Sequence, residues 1–216
     1  MAAEELASRG YYVFRMGINV LKPLKSSNPK IIDYSNSEIR SSFMDIYLGA
    51  KCFFCISNGA GFDGVPIIFR RPVAFVVVPI GFWMTSNEKF LLLTKHHINK
   101  FNKKELTISE IFSSNLGIAF NTKDYENNNV ELQENTPEEI RDFVIEMDER
   151  LNGNWKETDE DIFLQKKFWS IFEKNISNLD PNHPLFYQHD HKLKLHGKIK
   201  AKFGAKYLRE NKNRIN

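Results

Sequence analysis

Four residues, Asn58-Gly59-Ala60-Gly61, follow the apolar run Cys52-Phe53-Phe54-Cys55-Ile56 and precede a second apolar stretch around Val65, Ile68 and Phe69. Two glycines within four positions allow positive φ and let a ligand approach the main chain closely. A helix starting near Phe62 would point unpaired N–H groups and the positive end of its dipole at the same space, so the chemistry this spacing fits is binding of an anion such as a phosphate. The segment is not a Walker loop, since no Gly-Lys-Ser/Thr follows. Nor is it the full dinucleotide fingerprint, since Gly64 stands one residue too early. The plainer alternative is a tight turn that only lets the next helix pack.

The elements that must hold this turn read as an α/β alternation. The run 52–56 is short and rich in strand formers, as in a strand covered on both faces. A helix is predicted from about Ser41 to Ala50, with Phe43, Ile46, Tyr47 and Ala50 at helical spacing as its apolar face, and a further buried strand runs from Val73 to Pro79. Upstream, Glu4 to Arg9 closes a helix at Gly10, Tyr11 to Phe14 forms a strand with Arg15-Met16-Gly17 at its carboxyl end, and 31–34 forms a short strand. Strand and helix in succession imply a parallel sheet with right-handed crossovers, in which ligands sit beyond the carboxyl ends of the strands. Downstream, 90–94 reads as a strand, 107–112 as a short helix capped by Thr107 or Ser109, and 121–129 as a polar loop. Thr136-Pro137-Glu138-Glu139 is a capping box opening a helix that runs to Gly153, and Asp159 to Asp161 open another with Phe163, Phe168, Ile171 and Phe172 on its apolar face. We expect an α/β, Rossmann-like parallel sheet flanked by helices over 1–153, with a helical C-terminal extension over 154–216 packing on it as one domain.

A chain of 216 residues with 42% hydrophobic content can bury a substantial core. Its formal net charge is +3, but the charges are segregated: 192–216 holds nine Lys or Arg against one Glu, leaving 21 against 26 before it. No apolar run reaches the ~20 residues that span a bilayer, and Glu4 and Glu5 stand where a signal peptide would be basic and then apolar, which implies a cytoplasmic protein. Cys52 and Cys55 spell C-x-x-C, yet on one strand they would point to opposite faces about 10 Å apart, so they read as buried thiols. His183, His189, His191 and His196 lie near Asp180 and Asp190 without the matched spacing of a metal site. His96-His97 has no orienting acid beside it in sequence and reads as surface. No G-x-S-x-G element is present.

With these motifs in place, the chain resembles the C-terminal part of a family of bacterial glycosyltransferases of the GT-B type, associated with surface-polysaccharide synthesis. The resemblance rests on GYYVFRMG at 10–17, IIDY at 31–34, RSSFMDIYLGAKCFFCISNGAGFDGVPIIFRRP at 40–72, NTPEEIRDFVIEM at 135–147 and GAKYLREN at 204–211. It implies transfer of a sugar from a nucleotide donor to a glycan or lipid-linked acceptor. The nucleotide sugar is then a substrate, and neither cofactor nor metal is implied. On that resemblance the donor site comprises Arg15, Gly17, Asp45, Asn58, Gly59, Ala60 and Gly61, with Ala60 where a serine is common. It also implies an N-terminal acceptor domain, supplied by a partner domain or chain, since the reading opens on the last turns of a helix as the second half of something longer would.

Plainer roles remain open for the same residues. Arg15 has Asp33 and Asp45 as alternative ion-pair partners, Asp45 is equally suited to capping or bracing its helix, and Arg70 and Arg71 suit the C-terminal dipole of theirs. In the basic tail, Leu195, Ile199, Phe203 and Tyr207 recur every four residues, so a helix from about Gly197 would be basic and amphipathic. Packing on its own domain is one reading; peripheral contact with an anionic inner-membrane face, near a lipid-linked acceptor, is the other. Without a groove-reading motif, nucleic acid is not expected.

Overall fold

Local sequence signals set the start of several helices. Ser41, Thr107 and Thr136 each accept a backbone N–H from three residues on, and Glu110 and Glu139 close capping boxes at the latter two. The computed structural model describes residues 1–18, 20–77, 87–119, 121–177 and 200–215. In chain order they form α1 (Ala2–Ser8), β1 (Val13–Phe14), β2 (Ile31–Ile32), α2 (Ser42–Lys51), β3 (Cys55–Ser57), α3 (Gly64–Ile68), β4 (Val73–Val77), β5 (Phe90–Thr94) and β6 (His96–Asn99). Then follow α4 (Ile108–Ser113), α5 (Thr122–Asn127), β7 (Val130–Gln133), α6 (Pro137–Leu151), α7 (Asp159–Ser177), β8 (Lys202–Phe203) and α8 (Ala205–Glu210). A four-stranded parallel sheet has the order β3-β4-β5-β8, β1 and β2 pair as a separate parallel ribbon, and β6 and β7 pair antiparallel. This is the α/β class with a parallel sheet flanked by helices, of Rossmann-like type.

The chain divides into two compact units, each built from two stretches of sequence: 1–74 with 136–154, and 75–135 with 155–216. The sequence-based division after residue 153 likewise keeps α6 with the first 74 residues, but here 75–135 groups with 155–216 instead. In the first unit α6 packs on α1, burying Leu6, Ala7, Phe143, Val144 and Met147. Buried Asp148 ties the two helices: it accepts from Tyr11 Oη at 2.6 Å, Arg9 Nη1 at 3.0 Å and Asn152 Nδ2 at 2.7 Å. Tyr11 also stacks on Phe53 with ring centroids 5.5 Å apart.

In the second unit every residue of β5 is buried, and Phe112, Phe168, Phe172 and Phe203 form an aromatic core beside it. Leu91 and Leu92 of β5 pair with Lys202 and Phe203 of β8, while the Gln165 amide on α7 donates to the Phe203 carbonyl and accepts its N–H. Asp161, fully buried on α7, meets Arg209 of α8 and closes a cap with Thr158.

Several expectations are corrected here. The run 52–56 is not a doubly covered strand: Cys52 ends α2, only 55–57 is extended, at the end of the sheet order, and Phe53 and Ile56 are exposed. The strand at 31–34 stops at Ile32, where Asp33 begins a turn of 3-10 helix over Tyr34–Asn36. The polar stretch 121–129 holds α5, opened by a capping box between Asn121 and Asp124. His97 is not on the surface; it is fully buried on β6, while Glu105 supplies the acid for its neighbour His96 at 2.5 Å. The tail is not one helix from Gly197: its described part is a strand and a six-residue helix whose Phe203 and Tyr207 are buried within the second unit, and 178–199 lies outside the described residues.

Helix α3 ends unusually. Arg71 N–H bonds to the Pro66 carbonyl and Arg70 N–H to that of Ile67, a Schellman arrangement that places Arg70 in the left-handed region at φ +56°, where glycine is the usual residue. That conformation costs an L-residue about 1–2 kcal/mol, partly offset by the greater freedom glycine has in the unfolded chain. Arg70→Gly is therefore expected to raise stability by about 0.5–1 kcal/mol. An upward shift of the urea midpoint at unchanged slope is the readout, and a downward shift would show that the Arg70 side chain holds the loop.

Candidate functional site

The glycine turn leaves β3 at Ser57. Ser57 Oγ donates to Asp63 Oδ2 at 2.8 Å and accepts the Gly59 N–H at 3.0 Å, so one hydroxyl ties the start of the turn to its end. Gly59 and Gly61 both sit at φ +81°, which explains the pair of glycines. All four turn residues are exposed, a Cβ built on Gly61 or on Gly64 would meet nothing within 4 Å, and the N–H groups of Ala60 and Gly61 make no hydrogen bond among the described residues. The turn thus offers two free amide donors with unobstructed access.

The helix behind it is weaker than the spacing implied. It begins at Gly64 rather than Phe62 and has five residues, and Asp63, buried, stands at its N-terminal boundary. So short a helix sums few peptide dipoles, and a carboxylate at its positive end already meets the field an anion would use. Anion binding here rests on the free amides.

Arg15 and Gly17 follow β1, as expected. The Arg15 guanidinium forks onto Asp33 Oδ1, with Nε at 2.7 Å and Nη2 at 2.6 Å, and Nη1 donates to the Lys22 carbonyl at 2.7 Å. Asp33 also accepts from Ser35 Oγ, Asn36 Nδ2 and the Leu24 N–H. Partial burial works to raise its pKa, but these hydrogen bonds and the Arg15 fork outweigh it and hold the carboxyl down at about 2. Of the two ion-pair partners considered for Arg15, Asp33 is the one it takes. Gly17 lies at φ +136°, and a Cβ there would come within 3.2 Å of Val20 Cγ2, so it serves a close turn.

Asp45, in the first turn of α2, pairs with Arg40 at 3.3 Å. None of the three groups, the Arg15–Asp33 pair, the Arg40–Asp45 pair and the glycine turn, is joined to another by a hydrogen bond or ion pair among the described residues. Sequence reasoning passed over Ser57 and Asp63. A hydroxyl just before a glycine turn, six residues ahead of an acid at a helix start, was the available signal.

The two cysteines carry no ready nucleophile. Cys52 donates to the Gly49 carbonyl at 3.2 Å, and burial raises both thiols, that of Cys55 to about 12. Among the described residues no three His, Cys, Asp or Glu side chains are grouped to hold a metal ion. The histidines at 183, 189, 191 and 196 lie outside the described residues.

No family model, no curated protein and no solved structure matches this chain.

Proposed function

We propose that the chain is the donor-binding part of a GT-B type glycosyltransferase that transfers a sugar from a nucleotide donor to a glycan or lipid-linked acceptor. The observation that carries this reading is the open double-glycine turn at the carboxyl end of β3, where the Ala60 and Gly61 amides are free. Such donors, fixed before the ligand arrives, suit the diphosphate of a nucleotide sugar, on which negative charge grows as the sugar departs. In the reaction an acceptor oxygen bonds to the anomeric carbon while the bond from that carbon to the diphosphate oxygen breaks, and the electron pair leaves with the nucleoside diphosphate. Arg15 enters as a positioning residue, since its fork on Asp33 fixes the backbone that follows β1 and β2. Asp45 acts likewise through Arg40. The acceptor and the base that activates it belong to an N-terminal partner domain or chain.

A second reading, a non-catalytic nucleotide-binding or interaction module, has its own support. Asp63 opposes the dipole of α3, and Arg15 is neutralised by Asp33, so the turn binds an anion without a free cation from either. The two readings share the site and differ in turnover. An NMR titration of the isotopically labelled chain with uridine and guanosine diphosphates tests the site itself. The expected result is amide shifts concentrated at 58–61 and an affinity that Gly61→Val lowers at least tenfold, about 1.4 kcal/mol or more, the folded spectrum being kept although valine at φ +81° lowers the thermal midpoint by a few degrees. Shifts elsewhere, or retained by Gly61→Val, would remove the turn from the site.

A further inference from the structure

The predicted apolar face of α2 is not buried. Phe43 is 73% exposed, Ile46 and Tyr47 are about half exposed, and the Phe43 and Tyr47 rings stack at 6.1 Å; the residue α2 does bury is Gly49. The reason is visible in how α2 meets α3: a Cβ on Gly49 would lie 2.7 Å from Val65 Cγ1, so the helices approach backbone to side chain along that line and leave the larger residues outside. Helix α3 adds Ile68, 77% exposed, and Phe69 follows it, half exposed. Phe43, Ile46 and Tyr47 thus make a contiguous exposed apolar strip on α2, and the helix packed against it exposes Ile68 as well, which is more than the single scattered hydrophobes of an ordinary surface.

The charges on these helices indicate what covers it. From 40 to 72 the acids are Asp45, paired with Arg40, and Asp63, buried against Ser57; the cations beyond Arg40 are Lys51, Arg70 and Arg71. Arg71 Nε donates to the Ala50 carbonyl at 2.6 Å, which draws the C-terminal ends of α2 and α3 together and sets Arg70 and Arg71 beside the turn that carries Lys51. The Lys51 and Arg70 side chains are exposed and make no hydrogen bond or ion pair among the described residues. Aromatic and aliphatic side chains at the surface, with uncompensated cations at one end, are the composition of helices that lie in a bilayer interface.

We propose that the α2–α3 face docks on an anionic lipid bilayer, with Phe43, Ile46, Tyr47 and Ile68 entering the interface and Lys51 and Arg70 meeting the headgroups. This does not rest on the glycine turn or on nucleotide binding, and it assigns membrane contact to a different part of the chain from the basic tail.

Co-sedimentation of the purified chain with phosphatidylcholine vesicles, with and without phosphatidylglycerol, tests it. The expected result is binding to the anionic vesicles only, weakened by salt. Each cation near the surface contributes about fivefold, so Lys51→Glu with Arg70→Glu is expected to lower partitioning by well over tenfold. Phe43→Ser with Ile46→Ser is expected to lower it as well, at unchanged melting temperature since both side chains are exposed, whereas Phe101→Ser, exposed in the second unit, retains it. Equal binding to neutral vesicles, no binding, or full binding by either double variant would overturn the proposal. So would a dimer in sedimentation equilibrium that Phe43→Ser with Ile46→Ser dissolves, since the face would then belong to a second copy of the chain.

Discussion

Arg214→Leu is expected to lower the unfolding free energy of the second unit by about 3–5 kcal/mol, the range for removing one partner of a buried ion pair. The guanidinium is 3% exposed. Its Nη1 lies 2.6 Å from Glu105 Oε1 and donates to the Tyr207 hydroxyl, its Nε donates to the Leu106 carbonyl at 3.0 Å, and its Cζ sits 5.7 Å from the Tyr207 ring centre. One side chain thus fastens the residues after α8 to the loop between β6 and α4. Among the described residues, leucine would leave Glu105 with His96 alone to answer its charge. At roughly 2–4 °C per kcal/mol for a chain of this size, the melting temperature should fall by about 6–12 °C or more. Arg214→Leu combined with Glu105→Gln should recover part of the loss, because the cost lies in the stranded carboxylate as well as in the missing contacts. A drop under about 1 kcal/mol would mean that the pair is effectively solvated.

The second large effect is a loss of stability in mild acid, centred on His97. Its ring is fully buried, and Nδ1 lies 2.9 Å from the Lys95 carbonyl, so Nδ1 carries the proton and Nε2 is bare. Nε2 has no hydrogen-bond partner among the described residues. Protonating it would bury a cationic N–H with no acceptor, and this desolvation, with smaller contributions from Arg214 and His96, depresses the pKa from 6.5 to about 4. A base whose folded pKa lies below its unfolded one binds more protons when unfolded throughout that interval. Stability is therefore unaffected above pH 6.5 and falls as pH drops from 6.5 towards 4, by about 3 kcal/mol in total. Urea titrations across that range should show the slope in the wild type and a much flatter profile in His97→Leu. A wild-type profile flat from pH 6.5 to 4 would contradict the account. Asp33, held down to about 2, contributes in a separate window: its stabilisation is present above about 3.8 and is lost as pH falls towards 2.

Where local chemistry decides structure, the chain was legible. Thr136 announced α6 through its capping box, Thr107 was one of two candidate caps for α4 and is the one used, the run 90–94 announced a strand, and Gly59 and Gly61 announced a turn that needs positive φ. Elements decided by distant neighbours were not. His96 to Asn99 carries no apolar alternation, yet it pairs antiparallel with 130–133 and buries His97 against Tyr125. The spacing of Phe43, Ile46 and Tyr47 is that of a core stripe, but a glycine contact turned it outward. At the candidate site, the turn was found because its requirement is written in four consecutive residues. The fork of Arg15 on Asp33 spans 18 positions, and its choice over Asp45 depends on β1 and β2 pairing side by side.

The proposed donor site is the 58–61 turn, holding the diphosphate of a nucleotide sugar. Its most direct test is calorimetric titration of the purified chain with a panel of nucleoside diphosphates and nucleotide sugars, repeated with Gly61→Val and Arg15→Ala. Saturable binding that needs the diphosphate, is lost in Gly61→Val and is weakened in Arg15→Ala is the predicted result. A folded chain that binds none of them would contradict the donor-site reading.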